Sequence, residues 1–159
     1  MKETVDPDGS PKGDPNAARK GWMSLLAKAP EARVATLLDA TLPRPPFTWL
    51  RAPEVGSVMV RGRAGGSGSP FNLGEMSVTR CALRLGSGEV GHAYIQGRRK
   101  ACATAAALVD ALMQTTAADT LRGGVLDPLA AEQAQARQTR AAKAAATKVD
   151  FFTIVRGDD

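Results

Sequence analysis

The chain has 159 residues, 43% hydrophobic and 23% charged, enough for one domain with a packed core, and this excludes both a disordered polyelectrolyte and a pair of full catalytic domains. No apolar run approaches the roughly 18 residues of a membrane helix, the first residues lack the apolar stretch of an export signal, and two cysteines are too few for a secreted disulfide framework. A reducing cytoplasm is the expected setting, with Cys81 and Cys102 packed as thiols. The net charge of +5 is concentrated, because residues 51–100 carry eight basic side chains against three acidic ones while the rest of the chain balances. Such an excess suits an anionic partner; arginines on a solvated sheet face would give the same count.

Residues 1–16 read as a tail without regular structure, since Pro7, Gly9, Pro11, Gly13 and Pro15 interrupt every period. Residues 17–159 are then expected to form a single domain. Asn16 can cap a short helix holding Trp22, Met23, Leu25 and Leu26, and Pro30 opens a second in which Val34, Leu37 and Leu38 have the spacing of one buried face, ended by residues 43–46. These two make an N-terminal helical hairpin. Over residues 47–96 the period moves toward two: Val58 and Val60, then Met76 and Val78, then Leu83 and Leu85, separated by glycine-containing turns, predict an antiparallel meander. A helix from residue 98 to about 116 follows, with Ala105, Leu108, Val109, Leu112 and Met113 as the stripe that covers one face of the sheet.

Gly123 and Gly124 are expected to break the chain, and Asp127-Pro128 to supply a cap and a proline at the first helical position of a last helix reaching about Lys148. That helix has no large apolar residue between Leu129 and Val149, so its alanines favour helix but bury little. The sequence then gathers Phe151, Phe152, Ile154 and Val155 into a strand apolar on both faces, which requires cover on both sides. Either it inserts into its own sheet, or with the alanine-rich helix it reaches across to another chain. The predicted fold class is α+β: an antiparallel sheet with an N-terminal helical hairpin, a covering helix and a C-terminal helix-strand.

Two segments are candidates for chemistry. Gly65-Gly66-Ser67-Gly68 can turn backbone N–H groups toward a phosphate, but it lacks the Gly-Lys-Ser/Thr of a P-loop and reads more readily as a flexible hairpin connection. In the second, His92, Tyr94 and Gln96 project on one strand face, Ala93 and Ile95 on the other, and Gly97 leads into a helix beginning with Arg98, Arg99 and Lys100. Cations at a helix start oppose its dipole, and a bound anion would relieve that conflict; the bland alternatives are cations extended into water and a hydrogen-bonded structural histidine. No metal-ligand spacing or nucleophile elbow occurs. With 4% aromatic residues, stacking platforms for nucleic acid are largely missing.

Further identification comes from longer segments. Gly21-Trp22-Met23-Ser24-Leu25-Leu26-Ala27, GGSGSPFNLGEMSVTRCALRL (65–85), GHAYIQGRRK (91–100), ALVDALMQ (107–114) and KVDFFTIVRGD (148–158) resemble, in the same order, the PhnG family of the carbon-phosphorus lyase system, over roughly residues 20–159. The resemblance implies a subunit that works with PhnH, PhnI and PhnL to transfer a ribose triphosphate unit from ATP to an alkylphosphonate with release of adenine. It implies a place in a core complex with PhnJ, which carries the iron-sulfur cluster and uses S-adenosylmethionine. No cofactor is expected on this chain; ATP is a substrate of the complex, and phosphonate and ribose phosphate are the expected ligands. A homodimer within the complex is expected, with no membrane and no nucleic acid. The chain departs from the family pattern at Arg99 and Cys102. Candidate substrate- or partner-facing groups are therefore confined to the matching motifs: Arg80, His92, Gln96 and Arg98, with Glu75 as a lesser one, and no residue is named catalytic. The competing class is a basic scaffold or nucleic-acid-binding module unrelated to phosphonates, against which both the low aromatic content and the motifs argue.

Overall fold

Alternating apolar residues from Phe47 onward build the sheet. The computed structural model describes residues 16–147, so that the expected tail, apart from Asn16, and the expected strand at Phe151 to Val155 lie outside the described residues. Three antiparallel strands stand in the order β1-β2-β3: β1 is Phe47–Arg63, β2 is Pro70–Leu85 and β3 is Val90–Gln96. The two long strands pair from Phe47↔Leu85 to Arg63↔Pro70, whereas β3 pairs with β2 only from Arg84↔Val90 to Val78↔Gln96. Past Val78 the hairpin therefore runs on as a two-stranded arm. Its tip is the glycine-rich stretch, where Gly65 and Gly66 take φ of +60° and +79° and Arg63 Nη1 donates to the Gly68 carbonyl at 3.0 Å, the conformations a close reversal requires.

Met76, Val78, Leu83 and Leu85, expected on two strands, share the single strand β2. No glycine lies between Met76 and Leu83 to turn the chain. What changes along β2 is the buried face: Val78 and Thr79 are buried in succession, and from there Cys81, Leu83 and Leu85 point into the core. Helix α3, Lys100–Leu112, covers that face, burying Ala103, Ala105, Ala106, Ala107, Leu108 and Val109. Its small residues let the backbones meet closely. A Cβ added at Gly91 of β3 would collide with the Ala107 carbonyl and lie 2.7 Å from the Ala111 nitrogen. The helix is shorter than its period suggested, because Leu112 O and the Ala117 nitrogen are taken up by the Thr115 hydroxyl.

The N-terminal hairpin comprises α1, Ala17–Ala27, and α2, Arg33–Thr41, which bury Leu26, Val34 and Leu38. Helix α2 begins at Arg33, not at Pro30, since Ala32 stands in the left-handed region with φ 63°. The expected break at Gly123 and Gly124 does not occur. Helix α4, Ala118–Leu121, passes through a π-helical turn, Arg122–Leu126, directly into α5, Asp127–Ala146, and Asp127 is itself helical (φ −64°, ψ −45°), not a cap. Gly124 serves packing: a Cβ there would lie 2.5 Å from Thr41 Cγ2 of α2. The wider π turn stands just ahead of Pro128, whose missing N–H would otherwise interrupt a regular ladder. Helix α5 buries only Leu129. Among the described residues no helix is long and apolar enough to cross a membrane.

Candidate functional site

Strand β3 lies at a sheet edge, and an open edge leaves N–H and C=O groups that must find partners. Side chains from α1, from α3 and from the turn that follows α3 supply them. The His92 nitrogen donates to Asp110 Oδ2 at 3.0 Å, while the Val90 carbonyl accepts from Arg19 Nη2 at 3.1 Å and from Gln114 Nε2 at 2.9 Å. Asp110 stands fully buried within the apolar stripe of α3. Its Oδ1 accepts from Arg19 Nε at 3.1 Å and Trp22 Nε1 at 2.9 Å, and its Oδ2 also accepts from Arg19 Nη2 at 2.7 Å. A carboxylate offers about four acceptor sites, and all are used, so Asp110 ties α1, β3 and α3 together. Arg19 Nη2 lies 3.2 Å from His92 Nδ1.

Of the residues singled out from the sequence, Arg80, His92 and Gln96 stand at positions of the sheet face turned away from α3, and the His92 ring turns round the open edge, its Nδ1 3.5 Å from Asp110 Oδ2. Register places Arg80 opposite Tyr94, Ala82 opposite His92 and Val78 opposite Gln96. Arg80 Nε donates to Glu54 Oε1 at 2.7 Å, and Arg51 Nη1 lies 3.5 Å from the same oxygen, an exposed cluster in which the charge of Arg80 is already engaged. Arg98 is exposed just beyond Gly97, whose φ is +86°. Glu75 does not join them, because it stands in the arm opposite Met59 and on the other face of the sheet.

Arg19, Trp22, Asp110 and Arg99 were not among the candidates. The signal for Asp110 was a lone charge inside the apolar run Ala107-Leu108-Val109-Asp110-Ala111-Leu112. Arg99 fixes the turn from β3 into α3: its nitrogen donates to Thr79 Oγ1 at 2.9 Å, its Nε to the Gln96 carbonyl at 3.0 Å and its Nη1 to the Ala29 carbonyl of the α1 end at 3.1 Å. Both cysteines are free and buried. Cys81 donates to the Ala103 carbonyl at 3.3 Å, and burial pushes its thiol up to about 11; burial also raises Cys102. Neither is a thiolate nucleophile at neutral pH. No group of three His, Cys, Asp or Glu side chains among the described residues could hold a metal ion.

Comparison with known proteins adds two findings. Residues 17–157 match the family described as "Phosphonate metabolism protein PhnG". A protein of Rhizobium meliloti (strain 1021), the "Alpha-D-ribose 1-methylphosphonate 5-triphosphate synthase subunit PhnG", is 44% identical over 143 residues, which cover 90% of this chain and 92% of that relative.

Proposed function

The chain belongs to the PhnG family of phosphonate metabolism proteins, and on that premise we propose that it is a non-autonomous subunit of a ribose 1-methylphosphonate 5-triphosphate synthase. In this reading it acts in the cytoplasm with PhnH, PhnI and PhnL in the transfer of a ribose triphosphate unit from ATP to an alkylphosphonate, releasing adenine. It also joins PhnJ, on which the iron-sulfur cluster and S-adenosylmethionine are placed, and it is present as a homodimer in the assembly.

The observation that supports dependence on companion chains is the arm. Met59, Phe71 and Leu73 are 50%, 45% and 66% exposed on it, beyond the end of β3 and of the cover that α3 provides. Clustered apolar side chains on a slender two-stranded projection suit a protein partner. Arg80, His92 and Gln96, together on the outer face of β2 and β3, are the proposed contacts to ligand or partner, joined by Arg98 at the following turn. The test is reconstitution. Purified PhnH, PhnI and PhnL with ATP and methylphosphonate should release adenine only when this chain is added, and the chain alone should release none. Undiminished release in its absence, or release by the chain alone, overturns the proposal.

A further inference from the structure

A cleft of about 590 Å³ lies between the end of α1, the end of β3 and the flank of α5, and we infer that it is a binding site for an oligophosphate. Lys28 and Arg99 line it from the α1 and β3 sides, and Arg137 and Arg140 from α5. Gln133, Arg137 and Arg140 follow at helical spacing, so one stripe of α5 faces the opening. Glu132, the one acid among the described lining residues, is already taken: Arg33 of α2 donates to its Oε1 from Nε at 2.9 Å and from Nη2 at 2.5 Å, and this bond holds the carboxyl below its usual range. No acid among the described residues pairs with Arg137 or Arg140 within ion-pair distance.

Four cations thus converge on a space of the size that takes a small ligand, two of them one turn apart on the same helix face where like charges repel. An anion removes that repulsion. Arg99 is pre-arranged for the task, because its Nε and Nη1 are fixed on the Gln96 and Ala29 carbonyls, which leaves Nη2 for a ligand. The charges stand on opposing walls, so an extended anion with several charges meets both, whereas a single phosphate meets one. Among the described residues no aromatic lines the cleft, so these residues read phosphate and offer no platform for a base. Where the proposed synthase reaction uses this cleft, which rests on that reading, the group held is the triphosphate of ATP; binding itself is measured without the reaction.

Calorimetric titration of the full chain with inorganic tripolyphosphate tests the inference at low, fixed salt. One equivalent should bind, ATP should bind within about twofold of it, and inorganic phosphate should bind roughly tenfold or more weakly. Arg137→Gln with Arg140→Gln, on an exposed helix whose content is checked by circular dichroism, should weaken tripolyphosphate by at least about tenfold, as should Lys28→Gln with Arg137→Gln. Arg61→Gln with Arg84→Gln removes the same charge elsewhere and should change it less than about twofold. Absence of binding, equal weakening by the distant pair, or an ATP affinity that far exceeds that of tripolyphosphate overturns the site. A positive titration beside a failed reconstitution would leave the cleft standing and remove the proposed reaction.

Discussion

Asp110 shows how one side chain can be indispensable and still escape a reading by periodicity. A hydrophobic stripe is recognised by counting its apolar members, so the charge in Ala107-Leu108-Val109-Asp110-Ala111-Leu112 passed as an interruption. Its partners lie 18 and about 90 residues away in sequence, and no local rule brings Arg19 or Trp22 to it. Removing one partner of a buried charge network leaves the others unpaired. Asp110→Ala should therefore cost roughly 3–5 kcal/mol, with Arg19, Trp22 and the His92 N–H all losing their acceptor. Urea unfolding followed by tryptophan fluorescence measures this, and a loss below about 1 kcal/mol would mean that water replaces the carboxylate. Candidates drawn from exposed motif positions fared differently. Alternation placed His92 and Gln96 on one strand face with Tyr94, and the register set Arg80 beside them, but the spacing could not reveal that Arg80 is engaged with Glu54.

At the scale of elements, what is local was legible and what depends on neighbours was not. The switch to period two, the turn at Gly97 and the alanine-rich last helix all follow from residues close in sequence. The limits of β2 were missed because its buried face changes at Val78 and Thr79, where α3 begins to cover it. The pair Gly123-Gly124 was misread as a stop. A glycine that ends a helix and one that admits a neighbouring helix look alike in sequence, and only the position of Thr41 separates them. The two glycines should respond oppositely to alanine. At Gly124 the added Cβ collides with the Thr41 side chain, and overpacking of this kind costs about 1–3 kcal/mol. At Gly123 nothing lies within 4 Å of the added Cβ, so the substitution should be neutral or stabilise by up to about 1 kcal/mol through helix propensity. Thermal unfolding of the two variants decides it: equal losses would show that the π turn itself, not the contact with Thr41, demands glycine.

On the scale of the whole molecule, the body formed by α1, α2, α3, β3 and the near half of the hairpin is closed, and two elements extend from it. One is the arm and the other is α5, exposed on all sides beyond Ala134. Among the described residues neither makes contacts of its own that explain its length, which suits the proposed dependence on companion chains. Sequence could place the alanine-rich helix but not the arm, since the reach of a hairpin past its sheet depends on where the third strand stops. Phe71 and Leu73 are already exposed in the single chain, so replacing both with serine should change its stability by no more than about 0.5 kcal/mol for each substitution. In an assembly that buries them, each contributes about 1.5–3 kcal/mol. The pair should then weaken binding to companion subunits by roughly two decades or more, read as loss of co-purification from cells that express the full set. The measurement separates the two states of the same side chains. A variant that unfolds would mean that the arm is covered by its own chain, and one that remains folded and assembles in unchanged yield would mean that the partner docks elsewhere on the body.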